Sequence, residues 1–117
     1  MAISDEFLCY VLDQFSELGV TYRKMFGGAG LYHQGKVFGL IADDVVYLKV
    51  DDSNRKNYMD AGSPQFKPFP DKDMFMPYYE IPSSVLEDPD ELCEWALESL
   101  QIPSYVRQKG IRKRNEE

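Results

Sequence analysis

Apolar positions near the start of the chain recur at helical spacing. Phe7, Leu8, Val11, Phe15 and Leu18 share one face. Ser4 is a good N-cap, and Asp5 and Glu6 place negative charge where the helix dipole favours it. Ile3 and Leu8 are spaced as a hydrophobic staple, and Gly19 is the expected stop. Cys9 falls on the opposite face with Asp5, Asp13 and Glu17, which predicts an exposed thiol.

The period then shortens to two. Runs at 22–26, 30–33, 37–42 and 45–50 predict four short strands, with Gln34-Gly35 and Asp43-Asp44 as tight turns. The spacing of about eight residues implies hairpins in a meander. Gly27-Gly28 interrupts the first of these runs. Two adjacent glycines predict a bulge, a bend or a close backbone approach. A helix over 54–61 follows, capped by Ser53 and stopped by Gly62. Residues 64–73 are rich in proline and charge and read as a loop. Residues 74–81 read as a fifth strand, with Pro77 favouring a sheet edge. A helical turn over 83–86 leads to the last helix, with Asp88 at the N-cap, Pro89 at N1 and Glu91 at N3. Leu92, Trp95, Ala96, Ser99 and Leu100 form its stripe. The fold class expected is α+β: an antiparallel meander of about four strands plus a later edge strand, with N-terminal, middle and C-terminal helices.

At 117 residues the chain suits one domain, assigned to 1–103, followed by a basic tail at 104–117. An apolar share of 44% argues against disorder. No apolar run approaches the ~20 residues of a membrane helix, and the acidic N-terminus lacks signal-peptide character. Two distant cysteines without CxxC spacing fit a reducing compartment, so a cytoplasmic location is expected. Charge is uneven: residues 1–103 carry 8 basic and 18 acidic groups, while 104–117 carry 5 and 2. Such an acidic body repels phosphate backbones and anionic membranes. Even if Arg107, Lys109, Arg112, Lys113 and Arg114 all met phosphates, the salt slope would be only about −4.5. Direct nucleic-acid binding through the tail is therefore expected to be weak at most.

Catalytic chemistry finds little support. One histidine, His33, beside a Gln-Gly turn, supplies no metal cluster. There is no GxSxG elbow to mark a nucleophile. Gly27-Gly28-Ala29-Gly30 matches neither GxxxxGK[ST] nor GxGxxG, and a strand rather than a helix follows it. Asp43-Asp44 and Asp51-Asp52 are adjacent acids, which turn preference and helix-dipole stabilisation explain. No catalytic residue, metal or cofactor is assigned.

The remaining constellation is a polar aromatic surface. Val46, Leu48 and Val50 alternate with Tyr47 and Lys49, so the latter two should face away from the core. With Arg23, Lys24, Tyr78, Tyr79 and Glu80 they form a predicted partner or ligand patch. An ordinary outer face with weak cross-strand ion pairs explains the same residues. Sheet edges and the Cys9 face also leave room for a homodimer.

The string Arg23-Lys24-Met25-Phe26-Gly27-Gly28-Ala29-Gly30-Leu31-Tyr32 is distinctive. Together with Phe38, Asp43-Asp44, Tyr47-Leu48-Lys49, Arg55, Ala61-Gly62, Met76-Pro77-Tyr78-Tyr79-Glu80 and Leu92…Trp95-Ala96, it resembles the N-terminal domain of the TfoX/Sxy family over about residues 4–102. The resemblance implies an α+β fold, a link to bacterial DNA-uptake competence, and a role beside a transcription activator rather than as an enzyme. Protein partners, with the transcription machinery as the implied class, follow from it. Full-length members carry a second, helical domain, so a stand-alone N-terminal domain is expected here. Gly27, Gly28 and Gly30 are expected to serve backbone geometry. The competing reading is a small-molecule-binding domain or an enzyme with a pocket near Gly27-Gly28, using Arg23 and Glu80.

Overall fold

The Ser4 cap forms as its sequence predicts. In the computed structural model, which describes residues 4–25, 27–69 and 71–103, Ser4 Oγ accepts from the Phe7 N–H at 3.1 Å and opens helix α1, Asp5–Gln14. Ile3 of the expected staple and the basic segment 104–117 lie outside the described residues. The helix ends sooner than its apolar stripe suggests. Beyond Phe15 the backbone tightens, with Ser16 N–H donating to Asp13 O and Leu18 N–H to Phe15 O. Gly19, at φ +75°, then turns the chain into the sheet.

Five strands follow in a meander: β1 Val20–Met25, β2 Gly28–His33, β3 Lys36–Ala42, β4 Val45–Lys49 and β5 Tyr78–Glu80. All neighbours pair antiparallel, and the spatial order equals the chain order. Two hairpin turns are two residues long, with positive φ at both positions: Gln34 and Gly35 (53° and 81°), then Asp43 and Asp44 (53° and 57°). That geometry matches the right-handed twist of the strands it joins. Asp44 also accepts a hydrogen bond from Ser4 N at 2.9 Å, tying this turn to the start of α1.

The Gly27-Gly28 interruption has two separate causes. Gly27, at φ +80°, lies in the β1–β2 turn. Gly28 begins β2, where an added Cβ would stand 2.2 Å from Ile41 O. A real bulge occurs further on, where the β2–β3 register shifts between Leu31 and Tyr32. Phe38 is the extra residue there and turns inward, meeting Phe15 edge-on at 5.5 Å.

Helix α2, Arg55–Asp60, corrects the expected cap. Asn54, not Ser53, occupies the N-cap, and its side chain is spent elsewhere. It accepts from Asp51 N at 2.9 Å and donates to Lys49 O at 3.1 Å, fixing the bend after β4. Ser53 instead bonds Asp51 Oδ1 through both its N–H and its hydroxyl.

The fifth strand is also shorter than the expected 74–81. Only Tyr78–Glu80 form the strand, with Pro77 O and Ile81 N–H bonded to Val50 and Val46 at its ends, and residues 64–66 run along its outer side. Phe66 N–H donates to Tyr78 O at 2.7 Å and Glu80 N–H to Pro64 O at 3.0 Å. Met76 N–H turns back to Phe66 O at 3.0 Å, which leads residues 74–76 away from the sheet.

A short helix, α3 (Ser83–Leu86), precedes α4 (Pro89–Leu100). Asp88 Oδ1 caps α4, accepting from Asp90 N and Glu91 N at 3.2 and 3.4 Å. At the other end the Lys36 ammonium donates to Leu100 O, where the helix dipole favours a cation.

All four helices among the described residues bury side chains in one core with one side of the sheet. Leu8, Val11, Phe15, Tyr58, Val85, Leu92 and Ala96 meet Leu31, Phe38, Ile41, Val46, Leu48 and Tyr79. The fold is therefore α+β, with helices segregated to one sheet face. None of the described helices is long and apolar enough to cross a membrane.

Candidate functional site

Among the described residues, segregating the helices leaves the second sheet face without a helical cover. Strand alternation decides what stands on it. In β4, Val46 and Leu48 are sealed in the core at 1% and 0% exposure, while Tyr47 and Lys49 are half-buried on the other side. Cross-strand partners share a face. Tyr47 pairs with Glu80 and Leu40, and Lys49 pairs with Tyr78, so these residues all stand on the helix-free side. By the same logic Arg23, paired with Gly30, and Tyr32, paired with Thr21 and Val37, stand there too.

Two predicted patch residues do not. Tyr79 pairs with Leu48 and turns into the core, 5.9 Å from the Tyr58 ring. Lys24 lies opposite Ala29 on the helix side and meets Asp5 of α1 at 3.6 Å. Adjacent strand residues cannot share a face, so Arg23-Lys24 and Tyr78-Tyr79 each had to be split by the pleat. Tyr78 has the right face but only 8% exposure. Phe66, carried on the loop beside β5, covers it together with Ala42 and packs on Tyr47 at 4.7 Å.

The face thus has a shielded apolar end and an open polar end. Burial raises the Tyr47 pKa, with the Glu80 and Asp43 carboxylates adding to it. Burial lowers that of Lys49, with Lys36 adding to the effect and Asp51 opposing it. Tyr78 is raised by burial and then by Tyr32, which marks Tyr32 as a neighbour across the face. Tyr32 was missed from the sequence, although its alternation with buried Leu31 was the signal that could have found it.

Arg23 and Glu80 stand on opposite edge strands. Four strand spacings, about 19 Å, separate them, so one small pocket cannot use both. A shallow, open groove of about 320 Å³ lies instead against Thr21, Tyr22, Arg23, Tyr32 and Gly35, at the opposite end of the β1–β2 hairpin from Gly27-Gly28. Gly30 is buried mid-strand, and Gly27 and Gly28 serve backbone geometry as described above.

The other chemical groups are locally engaged or dispersed. Asp51 accepts from Ser53, which lowers its pKa, and Asp52 pairs with Arg55. His33 lies at a strand end with Nδ1 3.3 Å from Gly19 O. Cys9 is exposed and Cys93 half-buried. Among the described residues no three His, Cys, Asp or Glu side chains converge as metal ligands. Among the described residues, what the helix-free face presents is tyrosine hydroxyls, one ammonium, one carboxylate and one guanidinium on the sheet. That mix favours hydrogen bonding and stacking with another surface.

Residues 13–102 match the family model of the TfoX N-terminal domain. No curated protein matches the chain.

Proposed function

Because the chain belongs to the TfoX N-terminal domain family, we propose that it is a non-enzymatic regulatory domain that holds a protein partner on the helix-free face of its sheet. One observation carries this reading. Tyr32, Tyr47, Lys49 and Glu80 are only half-buried on a face that the helices leave uncovered. Tyrosine supplies large contact area with a polar tip, the type of residue that dominates interface energetics. The partner class that the family suggests is the transcription machinery, with competence regulation as the setting and the cytoplasm as the place.

Lys49→Glu and Tyr47→Ala test the proposal. Both change the open face and leave Val46 and Leu48 in place. Affinity capture from the native cell with quantitative mass spectrometry should show the partner lost from both variants, with circular dichroism unchanged. Capture of the same proteins at wild-type levels by folded variants would remove this face as the interface.

A further inference from the structure

The two edges of the sheet are treated unequally. The β5 edge is three residues long and is sealed by the chain itself, through the Gln65–Tyr79 bridge and the hydrogen bonds of Phe66 and Glu80 to its flanks. The β1 edge runs for six residues, Val20–Met25, and among the described residues pairs only with β2. Among the described residues no hydrogen bond reaches its outer side. An open edge of that length is a ready template for another strand.

Its side chains select which strand. Arg23 points to the helix-free face and makes no ion pair among the described residues. Lys24, on the helix side, already has Asp5. A second copy of β1 laid antiparallel on this edge would bring two Arg23 guanidiniums, neither ion-paired among the described residues, within roughly 20 Å of each other. The same charges that repel a copy attract a carboxylate. Although the body as a whole is acidic, the Debye length is about 8 Å at physiological salt, so the local cations decide. On the helix side Tyr22 is 45% exposed and offers an apolar seat one residue from Arg23.

We infer that β1 accepts an extended partner segment by strand addition, and that this segment alternates acidic and apolar residues. An acidic side chain faces Arg23 beside the groove of Thr21 and Tyr32, and its apolar neighbour covers Tyr22 on the other side. Backbone pairing supplies affinity and the alternate side chains supply specificity. This rests on the proposed interaction role and names the partner's chemistry.

The test is panning of a displayed random decapeptide library on the intact chain, in parallel with Arg23→Glu. Enriched sequences should alternate acidic and apolar residues, and the best synthetic peptide should bind Arg23→Glu at least tenfold more weakly. Hydrogen exchange should show new amide protection within residues 20–25. Absence of enrichment, enrichment without acidic residues, protection confined to other strands, or occupation of the edge by a second copy would each overturn the inference. The two proposals separate cleanly in cell capture. Loss of the partner in Tyr47→Ala but not in Arg23→Glu ends the edge mode and leaves the sheet-face role; the reverse supports the edge mode and ends the other.

Discussion

Replacing Tyr58 by phenylalanine tests the core at a polar anomaly. Tyr58 is fully buried, with its ring 4.8 Å from Trp95 in an edge-on contact and 5.9 Å from Tyr79. Its hydroxyl makes no hydrogen bond of ordinary geometry. The neighbouring Ser99 Oγ moderates its electrostatics but already donates to Lys49 O at 2.7 Å. An unsatisfied buried polar group costs about 1–3 kcal/mol, and removing it with the ring kept retains the packing. Tyr58→Phe should therefore stabilise the domain by about 1 kcal/mol, near 4 °C in Tm. Burial also pushes the Tyr58 pKa well above its ordinary value near 10. A group whose folded pKa is raised contributes stability that is complete below the unfolded value and is lost as pH climbs above it. Wild-type stability should thus fall above about pH 10 as the unfolded chain releases the Tyr58 proton, and Tyr58→Phe should lose less over that range. Urea titrations at pH 7 and at pH 10.5 measure both effects. Destabilisation of 1 kcal/mol or more at pH 7 would refute the reasoning and show that the hydroxyl is hydrogen-bonded in solution.

Other substitutions probe the elements that hold the site. Gly28→Ala should cost more than about 2 kcal/mol in urea denaturation, because its Cβ would meet the Ile41 carbonyl oxygen and not a movable side chain. Asp88→Ala should lose about 1 kcal/mol through the two N–H groups it caps, seen as a lower urea midpoint at unchanged m-value. Phe66→Ala should uncover Tyr78 and Tyr47 and bring the Tyr47 pKa back down, since burial is the first cause of its rise; carbon-13 NMR of the tyrosine rings would follow the titration.

The local grammar of this fold was readable where one signal sufficed. Ser4 and Asp88 cap their helices, Gln34-Gly35 and Asp43-Asp44 make two-residue turns, and the period of two in 45–50 correctly buries Val46 and Leu48. Features that depend on partners distant in sequence were not readable. Tyr78-Tyr79-Glu80 alternates by necessity, but only its register with Leu48 decides which tyrosine turns inward. Tyr78 is hidden by Phe66, which no spacing rule connects to it. Phe38 reaches the core through a bulge, which shifts the alternation without a glycine to announce it. Asn54 outcompeted Ser53 for the N-cap position because its amide bonds Lys49 O and Asp51 N together, a tertiary use that a capping preference cannot foresee. The same limit applies to the candidate site. Tyr47 and Lys49 were legible from their own strand, whereas Lys24 and Tyr79 needed the sheet to be assembled.

The claim that the helix-free face holds a partner is open to direct contact mapping. A photo-crosslinking phenylalanine derivative placed at position 47 reports on that face, and the same group at exposed Leu97 of α4 reports on the helix side. Irradiated in cell extract, position 47 should form a discrete covalent adduct with the captured protein and position 97 should not. An adduct from position 97 with none from position 47 would place the partner on the helices and contradict the account.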